Sequence, residues 1–115
     1  MIGEEIEVLY EVDSTNEFFK KNYKSFHDGA IVVAIKQTAG KGRLGRSWYS
    51  PEGGLWYSVL FKPKIHVNLH AYTKIFSIAI IEVLSKLKVK AYIKWPNDIY
   101  YNGKKLCGIL AEGIS

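Results

Sequence analysis

The apolar positions fall into short runs that fit strands, interrupted by two stretches with helical spacing. The β-branched and aromatic run from Ile6 to Val12 predicts a strand, and Ile31 to Ile35 predicts a second one, buried on both faces. Leu55 to Phe61 predicts a third strand after a turn at Pro51 to Gly54. Because this strand returns directly after a turn, it favours antiparallel pairing.

Two helices follow from the remaining pattern. Ser14 and Glu17 have the spacing of a capping box, so a helix is predicted to begin there and continue through Tyr23. Between His70 and Lys88, polar residues recur at helical spacing and apolar residues cover most of the circumference. This second stretch predicts a buried helix whose apolar residues belong to the core.

The last part of the chain reads as strands joined by tight turns. A strand carrying Lys94 is expected to break at Pro96, and the Asn102-Gly103 pair predicts a hairpin into a final strand. A lysine in a strand expected to be buried needs a partner or a chemical task. The predicted class is α+β, a mixed and largely antiparallel sheet with helices packed on it, in one domain covering residues 1–115.

Composition narrows the possible environments and partners. The chain has 115 residues, 48% of them hydrophobic, which suffices for one core. No apolar run is long enough to span a bilayer, and no signal peptide is recognisable, so we expect a cytoplasmic protein without membrane contact. The net charge of +5 favours a nucleotide, a nucleic acid or an acidic protein surface, and charge alone does not choose among them.

The segment from Gly40 to Trp48, named the glycine loop below, carries the most distinctive chemistry. Three glycines let its backbone N–H groups approach a ligand, while Lys41, Arg43 and Arg46 supply positive charge. It matches neither the Walker A motif nor the dinucleotide fingerprint. The pattern therefore predicts an anion-binding loop beside Gln37, and a solvated basic loop or nonspecific nucleic-acid patch remains the alternative.

Four segments in this order resemble the catalytic domain of biotin protein ligases. They are Ser14 to Asn16, Gln37 with the glycine loop, Lys94 to Asp98, and Lys105 to Leu110. Lipoate and octanoate ligases share that fold, but their arginine-rich glycine segment and their lysine motif differ from those present here. The resemblance implies the biotin/lipoate protein ligase catalytic-domain fold.

The resemblance also implies a reaction and its site residues. Biotin and ATP would give biotinyl-5′-AMP, and a lysine of a biotin carboxyl carrier protein would then accept the biotinyl group. Lys94 and Arg43 would be catalytic, and Mg²⁺ would be held through the ATP phosphates, with no protein ligand assigned. The implied biotin-binding residues are Ser14, Thr15, Asn16, Gln37, Gly40, Lys41, Gly42, Arg43 and Lys94. The implied ATP-binding residues are Arg43, Arg46, Trp48, Lys94, Asn97 and Asp98.

Two departures from the family pattern shape further expectations. Lys41 stands where many members have arginine, which keeps the charge and loses the bidentate geometry. The sequence stops where family domains continue, so it reads as their N-terminal half, without a DNA-binding helix-turn-helix or a C-terminal barrel. The alternatives are a noncatalytic fragment or subunit that needs a second chain, and a basic nucleic-acid binder.

The sequence supports two expectations about mobility and assembly. The final strand, Leu106 to Gly113, reads as an interior strand, which favours a homodimer or a complementing second chain at its free edge. The segment from Thr38 to Ser50 is expected to be mobile without ligand, because glycines and like charges offer little packing.

Overall fold

The computed structural model describes residues 1–114, which divide into two compact units. Unit 1 comprises Met1–His66 with Ile114, and unit 2 comprises Val67–Gly113. Each unit contains a three-stranded sheet. The predicted α+β class with largely antiparallel pairing is confirmed, although the strands form two sheets where one was expected.

The sheet of unit 1 combines both kinds of pairing. Its strands are β1 (Ile6–Val12), β2 (Ile31–Gln37) and β3 (Trp56–Val59), in the order β1-β2-β3. β1 pairs with β2 in parallel, because α1 (Thr15–Asn22) and a short 3-10 turn (Tyr23–Ser25) form the crossover between them. β2 and β3 are antiparallel, as the sequence predicts.

The core of unit 1 lies on one face of this sheet. Phe19 of α1 packs with Ala30, Val32 and Leu60, all of them buried. Residues that alternate with these stay accessible, and Ile35 is 38% exposed. The prediction that β2 is buried on both faces is therefore wrong, because successive strand residues point to opposite faces and the core cluster occupies one of them.

Unit 2 pairs a long helix with an antiparallel sheet. Its elements are α2 (Leu69–Lys86), β4 (Tyr92–Lys94), β5 (Asp98–Tyr101) and β6 (Lys104–Gly108), and the strands lie in the order β4-β5-β6. The predicted hairpin turn is confirmed, since Asn102 and Gly103 both have positive φ, 50° and 75°. No helix among residues 1–114 is both long and apolar enough to cross a membrane.

The burial pattern of α2 differs from the predicted apolar core helix. Thr73 and Ser77 are buried, whereas Ile75 is 64% and Val83 57% exposed. Thr73 Oγ1 donates to the carbonyl of Leu69, and Ser77 Oγ donates to that of Thr73. These hydroxyls are satisfied by their own helix and can be buried without outside partners, which the hydrophobicity pattern does not show.

The final strand also differs from its prediction. β6 spans Lys104–Gly108, so the predicted bounds of Leu106 to Gly113 are wrong, whereas the predicted free edge is present among the described residues, with Leu106 49% exposed. Beyond it the backbone N–H of Ile109 donates to the carbonyl of Asn97 at 3.1 Å. Because Asp98 pairs with Gly108, this bond extends the antiparallel pairing of β5 and β6 by one residue.

Candidate functional site

Gln37 is the centre of a hydrogen-bonded group in unit 1. Its Oε1 accepts from the backbone N–H of Thr15 at 2.8 Å, and its Nε2 donates to Ser50 Oγ at 2.9 Å. Ser50 Oγ in turn donates to the carbonyl of Trp48 at 2.9 Å. The side chain at the end of β2 therefore ties the first turn of α1 to the end of the glycine loop.

The same group continues through two further residues. Thr15 Oγ1 lies 2.6 Å from Ser58 Oγ, and Ser58 Oγ donates to Asn16 Oδ1. Since the single hydroxyl proton of Ser58 points to Asn16, Thr15 is the donor to Ser58. We name these residues, Thr15, Asn16, Gln37, Ser50 and Ser58, the amide–hydroxyl network.

The cap of α1 is half of the predicted capping box. Ser14 Oγ accepts from the backbone N–H of Glu17 at 3.0 Å, but the N–H of Ser14 donates to Asp13 Oδ1 at 2.7 Å and leaves the Glu17 carboxylate for other partners. This bond from Ser14 is the main reason that the pKa of Asp13 is lowered. Ser14 is 3% exposed, so its hydroxyl is held as a helix cap.

The glycine loop closes largely on itself. Gly42 N–H donates to the carbonyl of Arg46 at 2.7 Å, and Trp48 N–H donates to that of Gly40 at 2.8 Å. A 3-10 turn, Arg43–Gly45, forms the tip, where Leu44 has a φ of 60° and Gly45 a φ of 73°. A positive φ at a leucine destabilises the folded state, and the neighbouring backbone hydrogen bonds keep Leu44 in this conformation.

Gly40 is the point at which the loop meets the network. A Cβ on this residue would lie 2.5 Å from both Ser50 Oγ and the Trp48 carbonyl, and 2.9 Å from Gln37 Nε2. Only glycine allows the backbone this close to the network. The predicted contacts Gln37, Gly40 and Trp48 are therefore brought together by the fold.

An open cleft of about 240 Å³ lies beside this junction, entirely within unit 1. Residues 37–40 and 47–50 line it. The cleft thus offers amide and hydroxyl groups together with the backbone of the loop, and Trp48 is part of its lining.

The cations of the loop are not equivalent. Lys41 Nζ lies 2.5 Å from Glu17 Oε1, and Lys20 Nζ lies 3.1 Å from the same oxygen. Lys41 and then Lys20 are the main reasons that the pKa of Glu17 is lowered. Arg43 and Arg46 are exposed. A carboxylate therefore compensates Lys41 in this structure, and an anionic ligand would compete with it.

Lys94, in unit 2, lies at the surface, so the prediction that it is buried is wrong. The alternation of β4 and β5 puts Ile99 in the interior and Lys94 on the other face. Its Nζ lies 4.7 Å from the centre of the Tyr100 ring. Asp98, paired opposite Lys94, has its Oδ1 2.8 Å from Lys105 Nζ.

Asn97 and Asp98 are the remaining two residues that the family resemblance assigns to ATP binding. Asn97 Nδ2 donates to the carbonyl of Ile109 at 2.8 Å, and its buried Oδ1 has no hydrogen-bond partner within residues 1–114. Asp98 forms an ion pair with Lys105. The described residues contain no cluster of three or more His, Cys, Asp or Glu side chains that could bind a metal ion. These residues therefore do not fit a magnesium ion held by the protein alone.

Ser50, Ser58 and the contact of Glu17 with Lys41 were not predicted from the sequence. The sequence does contain a signal for Ser58. It lies two residues before the buried Leu60 and therefore on the buried face of β3, where a serine hydroxyl requires a hydrogen-bond partner. Ser50 and Glu17 gave no such signal, because their contacts join segments 13 and 24 residues apart.

Comparison with known proteins places this arrangement in a family. The family model described as "Biotin/lipoate A/B protein ligase family" matches residues 8–115. The bifunctional ligase/repressor BirA of Escherichia coli is 37% identical over 116 residues, covering 96% of this chain and 35% of that protein. The biotin–[acetyl-CoA-carboxylase] ligase of Paracoccus denitrificans is 33% identical over 109 residues, covering 91% and 45% respectively.

A solved structure agrees with these sequence matches. Biotin protein ligase from Aquifex aeolicus, in complex with biotin and ATP, superimposes with a TM-score of 0.87 at 39% identity. The match covers 96% of this chain and 47% of the Aquifex chain. The chain thus spans less than half the length of each of these relatives.

Proposed function

Because the chain belongs to the biotin/lipoate A/B protein ligase family, we propose that it serves the ATP-dependent activation of biotin. The product would be biotinyl-5′-AMP, and the biotinyl group would pass to a lysine of a biotin carboxyl carrier protein. The similar Aquifex enzyme was solved with biotin and ATP bound, which supports these two substrates.

The observation that carries this proposal is the junction of the amide–hydroxyl network with the glycine loop. Biotin has a ureido ring, which needs both donors and acceptors, and a carboxylate, which needs positive charge. The network provides hydrogen-bond donors and acceptors for the ureido ring through Gln37 and its hydroxyl neighbours. The glycine loop provides positive charge for the carboxylate through Arg43.

The proposed first step joins two anions. A carboxylate oxygen of biotin forms a bond to the α-phosphorus of ATP, and the bond from that phosphorus to the bridging oxygen breaks, so pyrophosphate leaves with the electron pair. Cations lower the repulsion between the reactants and stabilise the charge of the transition state. We assign this task mainly to Lys94, with Arg43 and Arg46 contributing further positive charge.

The proposed second step consumes the adenylate. A neutral lysine amine of the carrier attacks the acyl carbon, AMP leaves, and the amine proton passes to solvent, giving an amide. Water would destroy the mixed anhydride by the same attack, so the adenylate needs cover. We propose that the glycine loop supplies it, since ligand phosphate would order the loop and replace Glu17 as the partner of Lys41.

The experiment that tests the function is direct. The 115-residue chain is incubated with ATP, magnesium and biotin, and biotinyl-AMP and pyrophosphate are measured by mass spectrometry and an enzymatic assay. Lipoate and octanoate replace biotin in matched reactions, because the family includes ligases for both classes. We expect adenylate from biotin alone.

Calorimetry separates this proposal from the other function classes. Titration with biotin should give saturable binding, whereas a single-stranded oligonucleotide should bind weakly and lose affinity steeply with salt. Tight oligonucleotide binding with no response to biotin would refute the ligase function. Biotin binding without pyrophosphate release would instead identify a binding module that needs another chain.

A further inference from the structure

The outward face of the unit 2 sheet places an aromatic ring beside the lysine predicted to be catalytic. Lys94 Nζ lies 4.7 Å from the centre of the Tyr100 ring, within the range of a cation–π interaction. Tyr92, which pairs with Tyr100 across the two strands, stacks on the same ring with centres 6.0 Å apart. The ring is thus fixed from two sides, by its strand and by Tyr92.

On this face, the lysine and the aspartate that pair across the strands do not form an ion pair with each other. Lys94 and Asp98 pair directly across β4 and β5, where opposite charges commonly attract. Asp98 nevertheless holds Lys105, with Nζ and Oδ1 2.8 Å apart, and Lys94 lies over the tyrosine. A carboxylate partner would neutralise Lys94, whereas a ring face attracts the ammonium and leaves N–H donors for an anion.

We propose that Tyr100 is a positioning residue for Lys94: its ring holds the ammonium away from Asp98 and ready for an anionic ligand. This inference rests on the proposed function for its catalytic consequence, since Tyr100 would act through Lys94 and without contact to the reacting atoms. The ring face carries the role, so the phenolic hydroxyl is dispensable.

The first test does not depend on activity. A proton above an aromatic ring resonates upfield, so the ε-methylene protons of Lys94 in the ligand-free chain should lie upfield of those of Lys104, an exposed lysine of β6. Tyr100→Leu should abolish this displacement, and Tyr100→Phe should retain it. Absence of an upfield displacement in the unchanged chain would overturn the proposal, even if the leucine variant failed to fold.

The second test uses single-turnover formation of biotinyl-AMP. Tyr100→Leu should lower the rate about two- to fivefold at saturating biotin, the range of an exposed cation–π contact, while Tyr100→Phe restores it. Tyr101→Leu, on the neighbouring position of the same strand, is the matched control and should keep the rate. Equal rates for the two leucine variants would contradict a positioning role.

The two tests separate failure of the inference from failure of the function. If the unchanged chain forms no adenylate, the proposed function fails, and the proton shifts still decide whether Tyr100 holds Lys94. If adenylate forms and the upfield displacement is lacking, the proposed function stands and the role of Tyr100 is refuted.

Discussion

The glycine loop and the β4–β5 strand pair each carry a lysine that the sequence assigns to ligand binding, and the two are held differently. Lys41 lies against the carboxylate of Glu17, whereas Lys94 lies over the ring of Tyr100. Lys41 must therefore leave one anion to meet another. Lys94 can meet an anion without breaking an ion pair.

This difference suggests separate tasks for the two segments. A cation that exchanges its partner suits a loop that moves when ligand arrives, and the backbone bonds of the glycine loop run mainly within itself. A cation held on a short antiparallel strand suits a step that needs fixed geometry. Mutations in the two segments should therefore have different effects on adenylate formation and on its retention.

Lys94→Ala should have the largest effect. We expect adenylate formation to fall at least about a hundredfold, because the proposed mechanism requires the Lys94 ammonium to stabilise the charge that develops in the transition state. The exposed side chain contributes little to the core, so thermal unfolding should remain cooperative. Pyrophosphate release under single-turnover conditions measures the effect, with Lys104→Ala as the control, and an unchanged rate would remove Lys94 from the mechanism.

Gly40→Ala tests whether the loop depends on its junction with the network. The added methyl would lie 2.5 Å from the Trp48 carbonyl, so backbone must shift, and we expect about 1–3 kcal/mol of lost stability. Biotin affinity should fall about tenfold or more as Gln37 and Ser50 are displaced. Gly113→Ala is the control, since a Cβ there meets nothing within 4 Å. Equal affinities of the two variants would show that the junction is unimportant for ligand.

The positions of the helices and strands were predicted from the sequence more accurately than the exposure of their individual residues. β1 and the turn at Asn102-Gly103 were readable because strand composition and turn chemistry are local properties. The exposure of Ile75 on α2 was not readable, because it depends on Thr73 and Ser77 having their hydroxyls satisfied within the helix. Hydrophobicity alone assigns such residues to the wrong face.

The candidate site was predictable in its residue types and less so in its contacts. The positions of Gln37 and Gly40 followed from the motif, and the structure joins them through Ser50. The burial of Lys94 was wrongly predicted because a three-residue strand between apolar neighbours gives no register. The Glu17 contact was missed, since a capping-box pattern accounted for that residue locally.

Arg43→Gly should separate formation of the adenylate from its retention. Arg43 is exposed at the loop tip, so the fold should be unaffected. We expect the half-life of bound biotinyl-AMP to shorten several-fold, because one cation facing the phosphate is lost. Formation should change less than retention. Filtration of the complex followed by mass spectrometry of the free adenylate measures the rate of release. An unchanged residence time would show that residues other than Arg43 retain the adenylate.

Glu17→Gln should have the smallest effect and the opposite sign. The variant removes the carboxylate that competes for Lys41, so ATP or adenylate should bind about twofold more tightly, as expected for an exposed ion pair.

The pKa of Glu17 is lowered by Lys41 and Lys20, so the folded state gains stability from its ionised form above the ordinary glutamate pKa. That gain is lost as the pH falls through the lowered pKa. Calorimetry at pH 7 and thermal unfolding between pH 3 and 7 measure both effects, with Glu4→Gln as the control. Weaker ligand binding by Glu17→Gln than by that control would show that Glu17 orders Lys41 for the ligand and does not compete with it.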